Sequence, residues 1–196
     1  MPRVDLWLDE DDVRDAQTSG MFSFTVPEDA HVKGNLEDPR DEKAKATWTQ
    51  TLEVVESKMY EDTTRDAGGN EYPSICMEVK FQVPSDALRQ DGSADPNSGR
   101  SHTAWYRIVK AALKNKQHPK YKANNFNLSR ANGMLRSIWG EAVIPHGAKV
   151  NLGDFFDGSP APVVGKSVIA TMKASRYDGN RRDELTDFVP LELRGN

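Results

Sequence analysis

The chain has 196 residues, a formal net charge of −4, 37% hydrophobic residues and 29% charged residues. That is enough for one domain with a buried core, and no apolar run approaches the ~20 residues of a membrane span. One cysteine, Cys76, excludes an intrachain disulfide and a thiolate metal site.

The first 45 residues are rich in acids, Gly, Pro and Asp, with one short apolar run, Met21-Phe-Ser-Phe-Thr-Val26. They are expected to form an acidic arm and loops. The opening Met1-Pro-Arg-Val-Asp-Leu-Trp-Leu-Asp-Glu-Asp-Asp lacks the basic-then-apolar layout of a signal peptide, so a reducing, cytoplasmic setting is expected. Asp5, Asp9, Glu10, Asp11, Asp12 and Asp15 surround Leu6, Trp7 and Leu8. Carboxylates mixed with apolar anchors can compete with a nucleic acid for the protein's own basic surface, or dock on a partner.

Thr47 to Met59, rich in Thr, Val and Trp, reads as a strand. A polar loop with Gly68-Gly69-Asn70 leads to Tyr72–Val83, where Ile75, Met77, Val79, Phe81 and Val83 alternate with Cys76, Glu78, Lys80 and Gln82. Strict alternation predicts a strand with one buried face. Cys76 is expected to be a buried, inert thiol. Residues 84–101 read as a loop on composition.

Charge then changes sign. Residues 1–70 carry 17 acids against 8 bases, yet between Asn97 and Gly140 there is no acid at all and nine bases: Arg100, Arg107, Lys110, Lys114, Lys116, Lys120, Lys122, Arg130 and Arg136. A polyanion responds to such a local field rather than to the average. Trp105, Tyr106, Tyr121, Phe126 and Trp139 lie in the same block. Bases for phosphates and rings for stacking are what single-stranded nucleic acid requires. Within the block Thr103–Val109 fits a strand, while Trp105, Ile108, Val109, Ala112 and Leu113 equally fit a short helix. His118-Pro119 ends any helix there. Ser129 can cap a second helix whose apolar stripe is Ala131, Met134, Leu135 and Ile138, with Gly140 after its end.

Val163 to Tyr177 reads as a long strand with Val168, Ala170, Met172 and Ala174 on one face, and Asp178-Gly179 is a preferred two-residue turn. A return strand follows over Asn180–Val189, closed by Pro190. Lys166, Lys173, Arg176, Arg181 and Arg182 cluster around this hairpin with Tyr177.

Catalysis finds no support. His31, His102, His118 and His146 lack ligand spacing, and Asp9 to Asp12 are consecutive rather than on one face. There is no Gly-rich phosphate loop, nucleophile elbow or paired Cys–His. No catalytic residue, metal or cofactor is therefore expected. The expected nucleic-acid contacts are Arg100, Trp105, Tyr106, Arg107, Lys110, Lys114, Lys116, Lys120, Tyr121, Lys122, Lys166, Lys173, Arg176, Tyr177, Arg181 and Arg182.

Early strands, a central helix and a final hairpin with a basic, aromatic surface describe a mainly β protein with a short helical insert. The matching fold is the OB-fold, a five-stranded Greek-key barrel. The expected organisation is an acidic arm over residues 1–45, an OB-fold domain over 46–190 and a short tail over 191–196. The ending Val164-Gly-Lys-Ser-Val-Ile-Ala-Thr-Met-Lys-Ala-Ser-Arg-Tyr-Asp-Gly-Asn-Arg-Arg-Asp-Glu-Leu-Thr-Asp-Phe-Val-Pro190 resembles the C-terminal hairpin of phage-encoded single-stranded DNA-binding proteins. Glu71–Phe81 and the helix from Ser129 to Trp139 sit where that family has a core strand and its helix. The resemblance covers roughly residues 45 to 190 and implies a protein that coats single-stranded DNA during phage replication or recombination. Its implied partners are single-stranded DNA and phage replication or recombination proteins, and a homo-oligomer is open. The basic stretch Val109–Asn125 and the C-terminus, which lacks an acidic tail, depart from that pattern. The alternative is a phage head or tail protein assembling through its basic block and acidic arm.

Overall fold

The computed structural model describes residues 3–8, 47–88, 92–95, 97–140, 149–177 and 180–191, with backbone alone at 47–48, 174–177 and 180–184. The run Met21–Val26, the acids Asp9 to Asp15, His31, His146 and the turn Asp178-Gly179 lie outside the described residues.

Five antiparallel strands form the main sheet: β2 (Thr47–Arg65), β3 (Glu71–Gln82), β4 (Ser101–Val109), β6 (Ser167–Tyr177) and β7 (Asn180–Phe188), in the spatial order β4-β3-β2-β6-β7. Strand β2 joins the two hairpins. Its first part, Thr47–Glu53, pairs with β6, and Glu53–Arg65 pairs with β3. Where it changes partner the register slips at Val55, and the Val54 amide and carbonyl bond Lys166 O at 2.9 Å and the Gly165 amide at 2.8 Å. A bulge at such a point bends a strand so that both halves face one core.

The alternation expected in β3 is present: Ile75, Met77, Val79 and Phe81 are buried in the core. Val168, Ala170 and Met172 of β6 pack onto the same core, with Phe81 and Phe188 rings 5.9 Å apart across it. Residues 101–109 form a strand, followed by a 3-10 turn at Lys110–Ala112. Of the two readings of this stretch, the strand is the one observed. Cys76 is buried although it faces away from the core, between its cross-strand neighbours Tyr60 and Arg107.

The helix α1 runs over Tyr121–Trp139. It begins eight residues before Ser129, which is buried within it rather than capping it. Lys120 stands at the N-cap without a side-chain cap bond. Tertiary contacts therefore set this end. Of the expected stripe, Ala131, Met134 and Leu135 are buried together with Leu128, and Ile138 is partly buried against the core; Gly140 ends the helix at φ 84°.

α1 lies between the sheet's two outer strands, β4 and β7, which do not pair with each other among the described residues. Its side chains take backbone groups from both. Asn124 bonds Val109, Asn127 Nδ2 donates to Arg107 O at 2.8 Å, and Arg130 Nε donates to Thr186 O at 3.3 Å. β7 passes close to α1 at Gly133, where a Cβ would be in ordinary contact with Asp187 and Phe188. Edge strands covered this way present fewer open backbone groups.

The N-terminal residues depart from the expectation of an arm. β1 (Trp7–Leu8) pairs with β5 (Val150–Asn151), and Leu6 and Leu8 are only 1% and 3% exposed, within the main core. The Leu6 amide donates to Asn151 Oδ1 at 2.9 Å, and Leu6 O accepts from Leu152 at 2.8 Å. The short helix α2 (Gly153–Phe156) follows, and Arg3 pairs with Asp154. Burying two leucines outweighs keeping acidic neighbours solvated, because Asp5 stays at the surface. No helix among the described residues is long and apolar enough to cross a membrane.

Candidate nucleic-acid interface

Period-two geometry turns the odd residues of β4 away from the core. Trp105 is 46% exposed and Arg107 stands beside it on the same face. Their cross-strand partners on β3 are Glu78 and Cys76, and Lys80 lies opposite Thr103. From β2, Lys58 lies opposite Glu78, Tyr60 opposite Cys76 and Glu56 opposite Lys80. Two rings, Trp105 and Tyr60, and three bases, Lys58, Lys80 and Arg107, thus share one open sheet face.

Three carboxylates share it too. Arg107 Nε bonds Asp62 Oδ2 at 2.7 Å, and Lys58 Nζ is 3.2 Å from Glu78 Oε1 and 4.0 Å from Glu56 Oε1. The Tyr60 hydroxyl donates to Glu78 Oε2 at 3.2 Å, and Trp105 lies directly opposite Glu78 in the β3–β4 register. The Arg107 bond, reinforced by the Thr63 amide, holds the Asp62 carboxyl below its ordinary 3.8. Burial alone would raise Glu78, but the bond and charge of Lys58 and the Tyr60 hydroxyl outweigh that and leave it below its ordinary 4.5. Both are ionised at neutral pH. The Tyr60 phenol is held well above its usual value, first by its bond to Cys76 and then by burial, and burial pushes the Cys76 thiol up. That thiol is unsuited to nucleophilic work.

Tyr106 corrects the sequence expectation. It is 2% exposed and packs in the core, because an even position of β4 points inward. Among the described residues its hydroxyl has no hydrogen-bond partner, and burial raises its pKa far above the ordinary value. It offers no ring for stacking.

The other expected contacts divide into three places. Lys110, Lys114, Lys116 and Lys122 are exposed along the segment from β4 into α1. This segment folds back over the β2–β3 turn: the His118 and Tyr72 rings meet edge-on at 4.7 Å, and Lys120 Nζ donates to Arg65 O. Tyr121, half-buried, opens the helix. The turn itself is built on Asp66, which accepts from the Asn70 amide at 2.9 Å and the Tyr72 hydroxyl at 2.9 Å. Arg100 precedes β4 at the opposite end of that strand, and its carbonyl accepts from Val83 at 2.8 Å. Lys166 is exposed just before β6, and Lys173 pairs in register with Thr47 and Glu184. Arg176 lies directly opposite Arg181, Ser175 opposite Arg182 and Tyr177 opposite Asn180 in the hairpin register.

The basic residues therefore do not form one patch. The sheet joins Trp105 and Arg107 to Lys58, Tyr60 and Lys80, which charge counting passed over. The available signal was the polar half of the β3 alternation, which already placed Lys80 outward. Among the described residues no cluster of His, Cys, Asp and Glu is arranged to hold a metal. No protein-family model matches the chain, and no curated protein matches it.

Proposed function

We propose that this chain is an OB-fold protein that coats single-stranded DNA during phage replication or recombination, the role of the family its final hairpin resembles, without catalysing a reaction. The fold assignment is supported by the strand order β4-β3-β2-β6-β7, a first long strand shared between two hairpins, and a helix set between the third and fourth long strands. OB barrels take oligonucleotides on the face of their second and third strands and in the flanking loops. The observation that carries the functional reading is exposed Trp105 beside Arg107 on the corresponding face here. A base stacks on the indole, and the lysines from Lys110 to Lys122 and the β6–β7 hairpin meet phosphates along the strand.

The test is a fluorescence titration with oligo-dT at several salt concentrations. Binding is expected to weaken with salt, with a slope of about −0.7 in log K per phosphate neutralised. Trp105→Ala should lose ~1–3 kcal/mol of binding while folding normally. Failure to bind oligo-dT at low salt, together with assembly seen by light scattering, would favour the virion-component alternative.

A further inference from the structure

The open face is electrically balanced: Lys58, Lys80 and Arg107 stand among Glu56, Asp62 and Glu78. We propose that Asp62 and Glu78 set the preference for single strands over duplex, by holding Arg107 and Lys58 in internal ion pairs on the face that carries Trp105. The inference rests on the nucleic-acid reading above and deepens it.

The geometry is specific. Arg107 is committed to Asp62 through a 2.7 Å bond, and Lys58 to Glu78 at 3.2 Å. A duplex meets this face with phosphates, its bases being stacked and paired inside, and finds both cations already neutralised. A phosphate must then displace a carboxylate that remains nearby and repels it. A single strand has a second means of holding on, because its bases can stack on Trp105 while its phosphates run to lysines elsewhere. Glu78 serves both ends of this arrangement, since it also accepts from Tyr60 and stands directly across from Trp105, so it neutralises the surroundings of both rings. In these ion pairs the cations are half exposed and the carboxylates partly exposed, and pairs that solvent reaches contribute little to folding, so removing the charge should leave the fold intact.

The experiment compares Asp62→Asn, Glu78→Gln and the double variant with the parent, each titrated with a labelled oligo-dT and a labelled duplex of equal length. Far-UV circular dichroism and thermal unfolding check the fold. Glu78→Gln keeps an acceptor oxygen for the Tyr60 hydroxyl, and Asp62→Asn keeps one for the Thr63 amide. Duplex affinity should rise more than single-strand affinity, narrowing the ratio on the order of tenfold in the double variant. The duplex salt slope should steepen by about 0.9 for each additional phosphate neutralised. In an Arg107→Gln background, Asp62→Asn should raise duplex binding less than it does in the parent, because only the repulsion by the carboxylate is then relieved and no cation is released. An unchanged or wider ratio overturns the proposal, as does loss of single-strand binding in Glu78→Gln, which would leave Glu78 with ring positioning alone. A parent that binds neither probe would instead remove the proposed function.

Discussion

The side-chain amide of Asn124 pairs with the peptide of Val109 as a neighbouring strand would: Oδ1 accepts from the Val109 amide at 2.9 Å, and Nδ2 donates to the Val109 carbonyl at 2.8 Å. Both residues are buried, at 1% exposure each. One side chain thus ends the β4 ladder and anchors the first turn of α1, the turn that lacks a cap. Asn124→Ala leaves a buried amide and a buried carbonyl without partners and should cost about 1–3 kcal/mol in denaturant unfolding. Asn124→Asp should also be destabilising, because a carboxylate cannot donate to the carbonyl.

Tyr106 separates packing from binding. Its ring fills the core and its hydroxyl has no partner among the described residues, so Tyr106→Phe should leave stability unchanged or raise it by about 1 kcal/mol. Oligo-dT affinity should not move. Tyr106→Ala should cost about 3–5 kcal/mol. A Tyr106→Phe variant that loses binding but not stability would return this residue to the interface.

The docked N-terminus changes what its removal should do. Leu6→Ala is expected to cost about 2–5 kcal/mol, as for other large core residues cut to Ala. Gly153→Ala attacks the same seat from the other side, because its Cβ would collide with the Val4 carbonyl oxygen. Deleting residues 1–8 should therefore lower the melting temperature. Tighter oligonucleotide binding by a deletion that melts like the parent would instead support a competing arm.

Two carboxylates carry pH effects of opposite sign. Asp66 is drawn down to about 2 by its bonds from Asn70, then by Tyr72 and Gly68. Its contribution to the β2–β3 turn is complete above the unfolded value of 3.8 and is lost as pH falls towards 2. Protection of the amides at residues 68–72, measured against the intrinsic exchange rate at each pH, should fall over that window, and Asp66→Asn should abolish the change. Asp187 is raised by burial, against the opposing pull of the Phe188 amide and Arg130. Folding then favours its protonated form, so its contribution falls as pH rises from 3.8 through the folded value. Asp187→Asn should remove that decline from the stability profile.

The sequence alone determined the elements whose pattern is local. Period-two alternation identified the buried face of β3 and of β6, and the apolar stripe Ala131, Met134 and Leu135 with Gly140 identified the later turns of α1. In each case one residue spacing meets one core. The same reasoning misplaced the start of α1, since Ser129 has the chemistry of a cap while Asn124 has only a tertiary reason to be helical. It also treated Trp105 and Tyr106 alike, although adjacent residues on a strand must face opposite ways once that strand is established. Tertiary structure decided the rest. Acids around Leu6 and Leu8 read as a solvated arm until β5 and Gly153 supply a seat for them. Nine bases without an acid between Asn97 and Gly140 read as one positive patch. Pairing of β2, β3 and β4 brings Asp62 and Glu78 from other strands to Arg107 and Lys58, and charge balance on a sheet is set across strands, where sequence distance carries no information.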